Sequence, residues 1–263
     1  MRKKRLDILL VERGLADSPQ RAQSLIMAAQ VLVDDHVADK PGNLVSEDAQ
    51  LAIREGLPYV SRGGIKLDHA LNRFEVDVTG KMVADVGAST GGFTDCLLQR
   101  GAHRVYAIDV GYGQLAWQLR QDPRVVVLER TNIRYLQSLP DPIDLATVDV
   151  AFISLELVLP KVVNLLQPQG EIIALIKPQF EARREQVGKG GVVRDPAVHR
   201  AVLEKVLASA MNNRLRVRGL TPSPLRGPAG NLEFFAYLSR DERLKSTGVE
   251  ESIAACLAQA ASL

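Results

Sequence analysis

Cysteine, long apolar runs and net charge are what this 263-residue chain has least of. No apolar stretch approaches the roughly 20 residues that a membrane-spanning helix requires, so a helical membrane protein is excluded and a soluble one expected. The two cysteines, Cys96 and Cys256, lie far apart and fit no metal-ligand spacing. They read as buried or spare thiols in a reducing cytosol, and no metal site is expected. The start, MRKKRLDILLVERG, is basic, but Asp7 and Glu12 interrupt any apolar core of a signal peptide. A cytoplasmic protein follows, with neither membrane nor DNA as partner. The net charge of +2 is too small to argue for nucleic acid by itself.

What is present is ordinary in amount and informative in placement. With 46% hydrophobic and 24% charged residues the chain can bury a real core, as one large α/β domain or one of ordinary size with a small appendage. Its basic residues cluster. Arg2, Lys3, Lys4 and Arg5 form a tip, and Arg214, Arg216, Arg218 and Arg226 occupy a stretch without an acid. Clusters of this kind can neutralise phosphates, although a merely solvated surface has the same composition.

The first part, residues 1–56, reads as two short helices followed by a small strand-rich piece. In RLDILLVERG, Leu6, Leu9 and Leu10 share a helical face that stops at Gly14. Ser18 caps a second helix with Pro19 at its first position, and Ala22, Leu25, Ile26 and Ala29 form its stripe. VLVDDHVADKPGNLV then gives a strand, a turn and a second strand, with Lys40, Pro41, Gly42 and Asn43 marking a further turn. The stretch RLDILLVERGLADSPQRAQSLIMAAQVLVDD resembles the S4-like RNA-binding domain. That resemblance implies that the helices present basic residues such as Arg5 and Arg21 to structured RNA. The domain also carries many acids, among them Asp34, Asp35, Asp39, Glu47 and Asp48, which implies weak RNA affinity on its own.

Residues 57–61 are expected to link this piece to a second domain, 62–263. There MVADVG, VYAIDV, VVVLE, LATVDVAF and EIIALIK read as strands separated by amphipathic stretches such as LELVLPKVVNLL. Such alternation predicts an α/β fold, a doubly wound, Rossmann-like parallel sheet. RLRVRGLTPSPLRG and NLEFFAYLS add a pair of strands, and EESIAACLAQAA a final helix with ordinary surface packing.

The first strand ends in a glycine turn, Gly87-Ala88-Ser89-Thr90-Gly91-Gly92. The middle glycine of a dinucleotide fingerprint is missing and no phosphate-loop lysine follows. Asp85, before the turn, suits the cationic amino-acid end of S-adenosylmethionine, and Asp109, ending the next strand, can accept both hydrogen bonds of a ribose diol. The turn is therefore expected to hold S-adenosylmethionine. Glycines that serve only helix-to-sheet packing are the plain alternative.

The methyl acceptor is narrowed by what is missing. Asp149-Val150-Ala151-Phe152 lacks the Pro-Pro of base N-methyltransferases, and Cys96 lies in the first helix after the turn, where a carbon-methylating nucleophile is not needed. Oxygen methylation needs a base, and Lys177, ending EIIALIK before Pro178, is at the right edge of the sheet. Lysine serves as a base where burial or a nearby cation lowers its pKa; Lys66 is the candidate cation, and Asp149 and Glu233 could orient the pair. Singly, each has a plain reading: a surface helix residue, a strand-end cap, an exposed strand residue.

Together SRGGIKL, ADVGASTGGF, TVDVAF, LIKPQFE and GNLEFF resemble, in order and context, the FtsJ-type RNA 2′-O-ribose methyltransferases. The resemblance implies a class I S-adenosylmethionine-dependent fold and a Lys-Asp-Lys-Glu tetrad of Lys66, Asp149, Lys177 and Glu233, the second lysine acting as base. It further implies that Asp85, Gly87, Ser89, Thr90, Gly91, Gly92, Phe93, Asp109, Asn132 and Asp149 bind the cofactor. With the S4-like domain in front, the chain from residue 3 to 240 resembles the TlyA family (haemolysin A), which implies methylation of cytidine 2′-hydroxyls in ribosomal RNA. RNA contacts are then expected from Arg2, Lys3, Lys4, Arg5, Arg21, Arg62 and Lys189, and from the basic segments 183–200 and 214–226. Some relatives carry Arg-x-Trp-Val in the linker; Leu57-Pro58-Tyr59-Val60 stands here, without the arginine. A non-catalytic RNA-binding protein, a membrane-acting haemolysin and a base methyltransferase are the competing readings.

Overall fold

The computed structural model describes residues 3–27, 30–34, 36–38, 41–53 and 58–262. Arg2, Ala29, Asp35, Asp39, Lys40, Gly56 and Leu57, used above, lie outside the described residues. The chain divides into two compact units, Met1–Pro58 and Tyr59–Leu263.

The first unit contains β1 (Lys3–Arg5), α1 (Leu6–Glu12), α2 (Pro19–Met27), β2 (Val31–Val33), β3 (His36–Ala38), β4 (Leu44–Ser46) and β5 (Leu51–Ile53). The expected stripes are the buried ones, Leu6, Leu9 and Leu10 on α1 and Ala22, Leu25 and Ile26 on α2, and all but Leu9 meet in one small core. The Ser18 hydroxyl accepts from the Arg21 N–H at 3.2 Å, the cap that starts α2. Gly14 follows α1 at φ 69°, and the Leu15 N–H returns to the Leu10 carbonyl at 2.9 Å, closing that helix. The strands exceed the expected two. β2 pairs with β3 and β5, and β1, made of the basic tip itself, pairs antiparallel with β4. Residues so short and charged carry no alternation from which a strand can be read.

The second unit adds α3 (Arg62–Phe74), β6 (Met82–Val86), α4 (Gly92–Gln99), β7 (Arg104–Ile108), α5 (Trp117–Arg120), β8 (Val125–Leu128), β9 (Ile143–Val148), α6 (Leu155–Leu165), β10 (Leu166–Ile176), α7 (Pro178–Glu181), α8 (Pro196–Asn212), β11 (Arg216–Pro222), β12 (Phe234–Ser239) and α9 (Val249–Ala260). Its seven strands among the described residues run in the order β11-β12-β10-β9-β6-β7-β8, with β12 antiparallel to both neighbours and the five from β10 to β8 parallel.

The strands read as continuous apolar runs because both faces are covered. Ile172, Ala174 and Ile176 of β10 enter a core with α6, α8 and α9, while Ile173 and Leu175 enter one with α3 and α4. The final helix is more than surface packing, since Ile253, Cys256 and Ala260 are buried and α9 lies on β11 and α8. Strand order reverses between β6 and its neighbours β7 and β9. Such a reversal opens a crevice at the C-terminal strand ends, where ligands of open α/β sheets sit.

Candidate functional site

At that crevice the glycine turn joins β6 to α4. Gly87 has φ 90°, and a Cβ there would stand 2.3 Å from the Asp149 carbonyl oxygen, so only glycine lets β6 end against the residue that follows β9. At Gly92 a Cβ would meet the Ser61 hydroxyl at 2.2 Å and the Gly64 nitrogen at 2.9 Å, so this glycine lets the start of α4 pack on the start of α3. Two glycines of the motif thus serve close approach of protein to protein, the plain alternative named above.

A cavity of about 830 Å³ opens over the turn, within the range of small-molecule sites. Gly87, Ser89, Asp109, Asn132, Asp149 and Lys177 line it. Asp109 accepts from the Ser89 N–H at 2.8 Å and the Gly111 N–H at 2.6 Å, one bond on each oxygen. A carboxylate oxygen can accept twice, so Asp109 keeps an acceptor on each for a vicinal diol. Asn132 caps a short 3₁₀ turn, Ile133–Tyr135, its side-chain oxygen accepting from the Arg134 N–H at 3.0 Å.

The remaining expected cofactor residues lie off the cavity wall. Asp85 is fully buried beneath the turn, where the Thr94 and Thr147 hydroxyls donate to it at 2.7 and 3.0 Å. Burial pushes its carboxyl up to about 7, against those two hydrogen bonds, and the charge of Asp149 adds to the rise. Asp85 is thus a buried strut of the turn and does not line the cavity. Gly91 abuts Leu115 and Leu119, and Phe93 packs with its ring centroid 6.2 Å from that of Phe235, both because α4 turns them inward. Thr90 is exposed, and its carbonyl accepts from the Ala116 N–H at 3.1 Å.

The four tetrad candidates form two ion pairs. Lys66 Nζ lies 2.6 Å from Glu233 Oε2, with side-chain exposures of 10% and 1%. Lys177 Nζ lies 2.6 Å from Asp149 Oδ1, with exposures of 16% and 23%. Only the second pair lines the cavity. Glu233, readable from sequence as an exposed strand residue, is buried just before β12, and Lys66 is buried in the second turn of α3 rather than on its surface. Each ammonium has its own carboxylate, an arrangement different from two lysines facing one another.

An apolar rim went unrecognised in the sequence. Phe152 is 90% exposed at φ 62°, its ring centroid 4.9 Å from that of Phe180, and both line the cavity with Val150, Ile153 and Leu157. Phe152 stood in the stretch set aside for lacking Pro-Pro; an aromatic two residues beyond the last core residue, Val150, was the available signal.

The basic residues are dispersed. Arg62 is exposed at the start of α3 and donates to the Arg226 carbonyl at 3.2 Å. Lys189 is exposed in a glycine hairpin bridged from Gly188 to Val192. In the first unit Lys3 and Arg21 are exposed, while Lys4 pairs with Glu12 at 2.7 Å and Arg5 with Asp7 at 2.7 Å. The arginines of 214–226 are spread along β11 and its flanks. Arg216 opens β11 opposite Ser239, whereas Pro222 ends it opposite Phe234, the partner of Ile176. A strand of that length separates Arg216 from the cavity end by roughly 20 Å.

Among the described residues no helix is long and apolar enough to cross a membrane. The sequence matches the family described as FtsJ-like methyltransferase over residues 59–240 and the S4 domain over residues 4–51. It is 50% identical over 244 residues to a Bacillus subtilis (strain 168) protein named "Putative rRNA methyltransferase YqxC", covering 90% of this chain and 86% of that one. It is 46% identical over 258 residues to the Mycobacterium tuberculosis (strain CDC 1551 / Oshkosh) protein named 16S/23S rRNA (cytidine-2'-O)-methyltransferase TlyA, covering 96% of each. A solved structure titled "Putative hemolysin from Streptococcus thermophilus" superposes with a TM-score of 0.77 at 41% identity, covering 100% of this chain and 98% of that one.

Proposed function

Because the chain belongs to the FtsJ-like methyltransferase family, and within it to the TlyA group that carries an S4 domain, we propose that it methylates the 2′-hydroxyl of cytidine in ribosomal RNA. The observation that carries this reading is the Lys177–Asp149 pair on the wall of the cavity that the glycine turn and Asp109 also line.

S-adenosylmethionine supplies, when bound, a sulfonium methyl open to attack. Asp109 takes the ribose diol on its two free acceptor sites, and Gly87 and Ser89 form the floor beside it. Lys177 Nζ, on the cavity wall, would take the proton of the ribose 2′-hydroxyl as that oxygen accepts the methyl group. Asp149, 2.6 Å from Lys177 Nζ, orients it and would stabilise the positive charge that builds on its nitrogen. Lys66 and Glu233, buried together, set the ground on which that pair stands. Cytidine is taken from the name of the relative; base specificity is not written in these contacts.

The S4-like domain, residues 1–56, with Lys3, Arg5 and Arg21, and the exposed Arg62 and Lys189 hold the RNA through its phosphates, followed by the linker 57–61 and the catalytic domain 62–263. Phosphate contact of this kind weakens with added salt. The test is to incubate the protein with labelled S-adenosylmethionine and unmodified ribosomal subunits, digest the RNA and identify the labelled nucleoside by mass spectrometry. 2′-O-methylcytidine is expected. A base-methylated nucleoside, or no label while the cofactor binds, would overturn the reading in favour of a base methyltransferase or a non-catalytic RNA-binding protein.

A further inference from the structure

Glu181 lies four residues beyond Lys177, at the end of α7, and is 6% exposed. Its side chain leaves its own helix. One carboxylate oxygen accepts from the Ser154 hydroxyl at 2.6 Å and the other from the Leu155 N–H at 2.7 Å. Those are the first residues of α6, at the end of the segment that begins with Asp149. From α8, Lys205 donates to the Glu181 carbonyl at 3.2 Å and sets its ammonium 3.8 Å from the carboxylate, while its main ion pair, at 2.7 Å, is with Glu156. The neighbouring residue of α7, Phe180, holds Phe152 through the 4.9 Å ring contact.

A buried carboxylate is costly unless its lone pairs are used and a positive charge is near. Glu181 meets both conditions only by bridging two segments. Burial nevertheless holds its carboxyl above the ordinary value, the two hydrogen bonds and Lys205 acting against the rise and Glu156 with it. A helix that needed only an N-cap has one already, since the Ser154 hydroxyl accepts from the Glu156 N–H at 3.2 Å. The carboxylate's distinct effect is to tie the chain after Asp149 to the chain after Lys177.

We propose that Glu181 is a positioning residue for methyl transfer, clamping segment 149–155 to α7 so that Asp149 and Lys177 keep the contact on which the proposed base depends. The clamp closes a short circuit: Lys177 to Glu181 along α7, across two hydrogen bonds to Ser154 and Leu155, back along the segment to Asp149, and across 2.6 Å to Lys177. With Glu181 truncated, the Leu155 N–H loses its partner, and what remains of these contacts from segment 149–155 to Lys177 and α7 is the Asp149–Lys177 pair and the Phe152–Phe180 rings. Glutamine preserves the clamp, since its carbonyl accepts from Leu155 and its amide donates to the Ser154 oxygen. This inference rests on the proposed function for its kinetic readout and on geometry alone for its second.

The experiment compares wild type, Glu181→Ala and Glu181→Gln on the full chain, with ribosomal subunits as substrate. For Glu181→Ala kcat falls on the order of 100-fold, the cost of misplacing a catalytic group by about 1 Å, and KM for S-adenosylmethionine changes far less. Glu181→Gln stays close to wild type in both. Hydrogen exchange is read in parallel without RNA. Amides of 149–155 exchange faster in Glu181→Ala and not in Glu181→Gln, while those of β6 stay protected in all three. Unchanged exchange at 149–155 in Glu181→Ala overturns the clamp whether or not the wild type is active. Equal losses in the two variants would make Glu181 a charge carrier and not a clamp. A wild type inactive on both subunits, with the exchange pattern as expected, overturns the functional reading and leaves the clamp standing.

Discussion

Two lysine–carboxylate pairs stand at the same end of the sheet, each closed at 2.6 Å, and they differ in where they stand. Lys66–Glu233 is almost sealed from water and does not touch the cavity, whereas Lys177–Asp149 lines it and keeps part of each side chain accessible. A sealed pair cannot exchange a proton with a substrate that never reaches it, and a lining pair can. The same chemical pair is thus sealed in one place and open to a ligand in the other, and the proposed reaction uses the open one.

Glu233→Gln tests the sealed pair and has the largest expected effect. It leaves the Lys66 ammonium buried without its counter-charge, which costs about 3–5 kcal/mol of folding stability, measured by urea unfolding. A loss below about 1 kcal/mol, the worth of an exposed bridge, would erase the distinction between the pairs.

Asp85, buried beneath the lining pair, gives a pH test. Its folded pKa of about 7 lies above the ordinary 3.8, so its contribution to stability is full below pH 4 and is lost as pH rises to about 7. The free energy of urea unfolding of wild type relative to Asp85→Asn should fall across that window, by at most a few kcal/mol, and stay level above it. A flat difference from pH 4 to 8 would mean that Asp85 is ionised when folded.

Gly87→Ala strains the lining pair from its backbone side. A methyl at φ 90° costs about 1–3 kcal/mol, and its approach to the Asp149 carbonyl pushes Asp149 off Lys177. Activity should fall more than stability; an active, stable variant would show that the pair tolerates displacement. Asp109→Ala, on the opposite wall, should weaken S-adenosylmethionine by about 10- to 100-fold, the worth of hydrogen bonds to a charged group, with turnover at saturating cofactor largely retained. Calorimetry reads the first and saturation kinetics the second.

The sheet was legible in the sequence because strands buried on both faces are apolar throughout, as MVADV and EIIALI are. The helices of the first unit were legible from Leu6, Leu9 and Leu10 and from the Ser18–Pro19 cap. β1, β4 and β5 were not, since three-residue strands carry no period. At the site, motif order placed Lys66, Asp149, Lys177 and Glu233 correctly at the same end of the sheet, but order says nothing of which lysine meets which carboxylate. Asp85 lies off the cavity, in keeping with strand alternation: it shares a face with Val83, which packs towards α3 and α4. The run 214–226 reads as compact in sequence but is drawn out along β11, because an extended strand turns neighbours in sequence into distance in space. Phe152 was passed over because exposure and a positive φ leave no mark in composition.

The most direct test of the division between the two pairs is single-turnover methyl transfer by Lys177→Ala at saturating S-adenosylmethionine, with cofactor affinity and urea midpoint measured on the same preparation. Transfer should fall on the order of 10²- to 10⁴-fold, the range of a lost general base, while affinity and stability stay near wild type. Near-normal transfer would contradict the account, and an equal loss of stability would place Lys177 in the structural class to which Lys66 is assigned.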